Sequence, residues 1–113
     1  LIIPATRDFW WEGAKLTAAQ QKLEKDYHDS YAKKYGEQPD FGPGVAYDAI
    51  LLTAQALKTA KSTDPAKMKA AMESIKNFDG VVATYSFSAT DHRGIASSNA
   101  AIIQVKDGKY TYL

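Results

Sequence analysis

The run from Gly44 to Ala60 constrains this chain more than any other segment, because its apolar residues lie on more than one face of a helix. Ala46, Ala49, Ile50, Leu51, Leu52, Ala54, Ala56 and Leu57 do not fall into a single stripe. A helix so uniformly apolar is normally buried on several sides. The other segments of a 113-residue chain offer little to bury it, so the run predicts a sheet or other layer that these residues do not supply. It is no membrane span: Tyr47, Asp48, Thr53 and Gln55 interrupt it, and it falls short of the length that crosses a bilayer.

The segments around that helix have their own signals. Leu1-Ile2-Ile3 is strand-like, and Pro4, lacking a ladder donor, is expected to end it. Residues 5–16 show no clean period and carry Arg7-Asp8-Phe9-Trp10-Trp11, which reads as a loop with aromatic anchors. Thr17-Ala18-Ala19-Gln20 has the capping-box form. Leu16, Leu23, Tyr27, Tyr31 and Tyr35 then predict an amphipathic helix that Gly36 stops. Asp64-Pro65 opens a short helix with Met68, Ala71, Met72 and Ile75 along one stripe. Val81–Phe87 reads as a strand, Ala100–Val105 as a second, and Asp107-Gly108 as a two-residue hairpin turn before Tyr110 and Tyr112.

Composition removes several function classes. Fourteen basic and thirteen acidic residues are well mixed, so no basic stripe offers a nucleic-acid surface. Without cysteine there are no thiolate metal sites, and two isolated histidines form no recognisable ligand set. No metal and no cofactor is expected.

The order of these segments resembles the C-terminal third of a type I periplasmic binding protein, the branched-chain amino acid receptor family of ABC importers. Leu1-Ile2-Ile3-Pro4 looks like the second of the family's three crossings between lobes. Tyr47-Asp48-Ala49 followed by Leu51 and Leu52 matches its Tyr-Asp-Ala-x-x-Leu-type helix. Phe78-x-Gly80 and Phe87…Asp91-His92-Arg93-Gly94 look like its third crossing and final turn. Ala83 departs from the pattern, since relatives often carry a second Gly there. The resemblance implies an α/β piece of a two-lobed receptor: a crossing strand at 1–4, a mostly helical portion of one lobe at 5–77, and a crossing with C-terminal strands at 78–113. It implies a small-molecule ligand, an amino acid or an aromatic relative, enclosed by hinge closure and delivered to an ABC permease. Phe41, Gly42 and Pro43 would form one wall of the cleft, and Pro4 and Gly80 would lie at the hinge. The location would be periplasmic or otherwise extracytoplasmic, free or lipid-anchored, and no catalytic residue is implied.

Each candidate has a plainer reading. Phe41-Gly42-Pro43-Gly44 also suits a turn into a helix. Trp10-Trp11 could stack on a ligand, but such pairs more often anchor a loop. Tyr27, Tyr31 and Tyr35 read as a half-buried helix face, and His28, four residues after Glu24, as a solvent-exposed ion pair. Asp91-His92 could be an acid/base pair of a small hydrolase, yet no nucleophile motif lies near it. Two other rivals are a ligand-sensing domain of a receptor or regulator, and an interaction domain that buries the 44–60 helix by self-association.

Overall fold

The computed structural model describes residues 1–113, with the side chain of Phe41 excepted. Strand β1 (Ile2–Ala5) leads into a 3₁₀ segment (Arg7–Gly13), then helices α1 (Ala18–Tyr35), α2 (Phe41–Ala60) and α3 (Pro65–Glu73). Two short strands, β2 (Phe78–Asp79) and β3 (Thr84–Tyr85), precede the hairpin β4 (Ala101–Lys106) and β5 (Lys109–Tyr112). One sheet is antiparallel in the order β1-β4-β5, with Ile3 opposite Ile103; the other is the two-residue β2-β3 pair.

Local chemistry explains the helix ends. Thr17 Oγ1 accepts from Gln20 N while the Gln20 side chain accepts from Thr17 N, the reciprocal cap that the sequence predicts. Gly36 closes α1 at φ 78°, in the left-handed region. Asp64 caps α3 through Lys67 N with Pro65 in the first turn. At the hairpin, Asp107 and Gly108 both take positive φ, 51° and 73°, as a type I′ turn requires.

Four expectations are corrected. Residues 5–16 are not all loop: Arg7–Gly13 form 3₁₀ turns with a non-helical break at Trp10, each too short to show a period. Helix α2 starts at Phe41, three residues before Gly44, because Asp40 caps it through Gly42 N and a first turn has no use for the missing N–H of Pro43. Pro4 does not end β1, which is an edge strand and needs only alternate residues to donate to β4. Finally, Val81–Phe87 is strand only at Thr84–Tyr85, since the Asp48 side chain rather than a neighbouring strand satisfies the amides of Val81 and Val82.

The main core gathers Tyr27, Leu52, Ile75, Val81, Val82, Ala83 and Tyr85, flanked by Leu23, Met72, Phe78 and Phe87. Helix α2 turns Gly44, Asp48, Leu52 and Ala56 inward at four-residue spacing. Its opposite face stays open, with Val45 48%, Ile50 70% and Leu57 39% exposed. The accessible surface of 7568 Å² exceeds the roughly 6,100 Å² usual for a monomer of this mass. The radius of gyration, 15.6 Å, likewise exceeds the roughly 13 Å of a closed domain this long. The apolar excess noted in the sequence is thus an uncovered helix face. No helix among the described residues is long and apolar enough to cross a membrane.

Candidate functional site

Two regions carry the residues that the sequence points to, and α2 links them. At its N-terminus lies the turn of Phe41, Gly42 and Pro43. Gly42 is exposed, and Pro43 is half-buried beside a groove of about 500 Å³ whose other walls include Tyr27, Tyr31, Tyr35, Tyr47 and Ile50. The rings of Tyr31 and Tyr35 sit 4.6 Å apart, and those of Tyr27 and Tyr47 4.9 Å. The helix start is already occupied electrostatically, because the Asp40 carboxylate accepts from Gly42 N at 3.2 Å. A second carboxylate there would meet like charge, so this turn suits the apolar part of a ligand better than its anionic end.

One helix face further in, Asp48 holds the segment after Gly80. Its Oδ1 accepts from Val81 N at 2.7 Å, and its Oδ2 from Val82 N at 2.9 Å and from Tyr85 Oη at 2.9 Å. Three donors satisfy a carboxylate that is 1% exposed, which makes its burial affordable. From the other side Arg7 Nε donates to Glu24 Oε1 at 3.2 Å and to Val81 O at 3.4 Å, and Arg7 Nη2 donates to Gly80 O. Arg7 N also donates to Val82 O at 3.4 Å. The chain just after β1 is therefore bonded directly to residues 80–82; α1 holds the former through Glu24 and α2 the latter through Asp48.

The structure places Pro4 in edge strand β1 opposite Ile102, and Gly80 in the turn that Asp48 and Arg7 grasp. Trp11 stacks on His28 at 5.4 Å, and Trp10 leans on Tyr110 at 5.5 Å, so the pair fastens the 3₁₀ segment to α1 and β5. Asp91 and His92 are not brought together: His92 Nε2 contacts Glu73 Oε1 at 2.9 Å, while Asp91 Oδ1 accepts from Arg93 N. The His92 contact lowers the Glu73 pKa. No group of side chains able to hold a metal ion occurs among the described residues.

The exposed ion pair expected of Glu24 and His28 is overturned. Glu24 is 0% and His28 8% exposed, because both share the inner side of α1 with Tyr27 and the 3₁₀ segment packs over them. Burial pushes the Glu24 pKa up to about 8 against the pull of Arg7, and burial also raises the pKa values of Tyr85 and Tyr27. Sequence reasoning gave Arg7 no partner, gave Glu24 only the exposed pair with His28, and named Asp48 only within the Tyr47-Asp48-Ala49 match. A signal was present for Asp48, since an acid inside an otherwise apolar helix must find donors when that helix packs.

Among the solved structures that match over all or nearly all of this chain, three illustrate the likeness. One is an extracellular ligand-binding receptor from Rhodopseudomonas palustris HaA2, at 22% identity and TM-score 0.83, of which the chain covers 34%. Another is a periplasmic binding protein type 1 from Bordetella pertussis Tohama I, at 27% and 0.72, with 99% of this chain and 32% of that one covered. The third is an ABC transporter substrate-binding protein from Desulfitobacterium hafniense in complex with Leu, at 25% and 0.71, of which 31% is covered. The chain thus spans about a third of the length of these structures. No curated protein matches it in sequence. The sequence profile described as periplasmic binding protein matches residues 3–109, and over nearly its whole length the chain belongs to that family.

Proposed function

We propose that this chain forms part of an extracytoplasmic solute-binding protein that captures an amino acid or a related, including aromatic, carboxylate and presents it to an ABC permease. The observation that carries the reading is its likeness over the full chain to a substrate-binding protein solved with Leu, at 25% identity. Binding of this kind needs no covalent step: a ligand that touches both lobes stabilises the closed cleft, and the partner reads the closed shape.

On this reading Phe41, Gly42 and Pro43 form a wall against the ligand's side chain, in keeping with the carboxylate of Asp40 beside them. Pro4 and Gly80 lie where the chain passes between lobes. Residues outside this chain would hold the ligand's charged groups. The exposed face of α2 would cover a sheet of the same lobe, and in the isolated 113-residue chain it would drive self-association instead.

Thermal denaturation of the complete gene product against a panel of branched, aromatic and polar amino acids tests the proposal. A ligand at 100-fold its Kd should stabilise by about 2.7 kcal/mol, an easily measured rise in Tm. A folded protein whose Tm no amino acid or aromatic acid moves would contradict it.

A further inference from the structure

The 3₁₀ segment presents three aromatic rings in succession, and all three line one cavity. Phe9, Trp10 and Trp11 bound a space of about 220 Å³ between that segment and the turn joining α1 to α2. Successive side chains of a regular 3₁₀ helix point about a third of a turn apart, so an unbroken one would scatter these rings. The non-helical break at Trp10, with φ −144° and ψ 51°, lets them share a cavity instead. Anchoring uses only part of each ring: Trp11 stacks on His28, and Phe9 and Trp10 both meet Tyr110. Phe9 remains 40% exposed.

The remaining walls decide what such a cavity can hold. His28, 8% exposed, and Gln38 form one side, joined by a contact of 3.2 Å between Nδ1 and Oε1, so this side is fixed before anything binds. Among the described residues the lining has Pro39 as its one aliphatic side chain and contains no lysine or arginine. Glu12 is its one acid. Lys22 and Lys25 share a neighbouring hollow with Glu12 but pair with Asp26 and Asp29, which leaves Glu12 without a salt bridge among the described residues. Asp8, next to Phe9 in the chain, is 3% exposed, and its Oδ1 has no hydrogen-bond partner. An anion would meet like charge here. Aromatic faces are themselves negative, so the rings and both carboxylates favour a cation.

We propose that this cavity is a binding site for a small organic cation of the methylated ammonium class. A strongly hydrated ammonium or metal ion would have to exchange its water for rings that offer no lone pairs. A methylated ammonium spreads its charge over methyl groups and gives up much less on leaving water. The rings receive the methyl groups, and the exposed carboxylate of Glu12 balances the charge from the rim. At about 220 Å³ the cavity lies below the roughly 300–1,000 Å³ of pockets for drug-sized ligands, so it fits a compact head group. Neither Gly42 nor Pro43 lines it, so it stands apart from the wall proposed for the amino acid and does not rest on that reading.

Calorimetric titration of the complete gene product with choline and with dimethylbutanol, its neutral carbon analogue, separates recognition of charge from filling of an apolar space. Choline should bind saturably and about tenfold more tightly than the analogue. Glu12→Gln, at an exposed position that should not disturb folding, should weaken choline by about two- to fivefold and leave the analogue unchanged. Trp10→Leu, which keeps apolar bulk but removes a ring face, should weaken choline by about fivefold or more. Equal affinity for the two probes would overturn the proposal, as would choline binding that neither substitution changes. A folded wild-type protein that shows no saturable choline binding would overturn it as well.

Discussion

The carboxylate of Asp48 lies where a side chain on Gly80 would begin: a Cβ built there would fall 2.3 Å from Oδ2 and 2.6 Å from Oδ1. The two residues are far apart in sequence, yet each dictates the other. Gly80 must lack a side chain so that Asp48 can reach the next two amides, and Asp48 must be an acid because those amides are buried with no strand beside them.

Gly80→Ala should therefore destabilise by about 1–3 kcal/mol, the usual range for overpacking a close interior contact. Asp48→Ala should cost about 3 kcal/mol or more, because it strands Val81 N, Val82 N and the Tyr85 hydroxyl. Asp48→Asn, which can keep one acceptor but points an amide at a buried N–H, should fall between these two. Urea unfolding of the complete gene product checks the order.

Gly94 has two reasons to be glycine. Its φ is +70°, and a Cβ would meet the Phe87 ring at 2.3 Å. Gly94→Ala should cost about 2 kcal/mol or more from the combined strain and overlap. In a Phe87→Leu background the overlap part should shrink while the conformational part remains, which a double-mutant cycle by thermal denaturation separates.

How much of this was legible in the sequence depends on the range of the signal. Helices α1 and α3 and the 107–108 turn were legible because caps, periods and positive-φ residues act over a few positions. The surplus of apolar residues in α2 was legible too, and it surfaces as exposed Ile50 and Leu57. The grip on residues 80–82 was not, since Arg7 and Asp48 reach it across 73 and 33 positions. Glu24 and His28 misled because i, i+4 spacing says which residues are neighbours on a helix but not which face is covered. The candidate wall Phe41-Gly42-Pro43 read as a turn before a helix starting at Gly44, whereas α2 starts at Phe41 under the Asp40 cap, which went unrecognised.

The isolated 113-residue chain should self-associate through the outer face of α2. Ile50→Glu with Leu57→Lys should yield a monomer by sedimentation without loss of helix content, because neither side chain belongs to the core. A wild-type chain that sediments as a monomer at high concentration would show that this face needs no cover.

The contact between His92 and Glu73 is exposed on the His92 side and should matter little. Because Glu73 has a lowered pKa, the contribution exists above its ordinary value of 4.5 and fades as pH falls below it. His92→Ala should leave neutral-pH stability nearly unchanged and should abolish no activity. A large loss of either on that substitution would revive the acid/base reading of Asp91 and His92.

The most direct test of the binding account is calorimetry on the complete gene product and its Gly42→Leu variant. Gly42 has room for a side chain, since among the described residues, its chain neighbours aside, a Cβ would come within 4 Å of Asp40 Oδ1 alone, at 3.8 Å, so the variant should fold and melt like the wild type. If this turn walls the cleft, the bulk of leucine there should weaken ligand binding by about tenfold or more, some 1.4 kcal/mol. Equal affinity in the two proteins, with equal Tm, would contradict the placement of the ligand against Phe41, Gly42 and Pro43, and absence of any binding in the wild type would contradict the function itself.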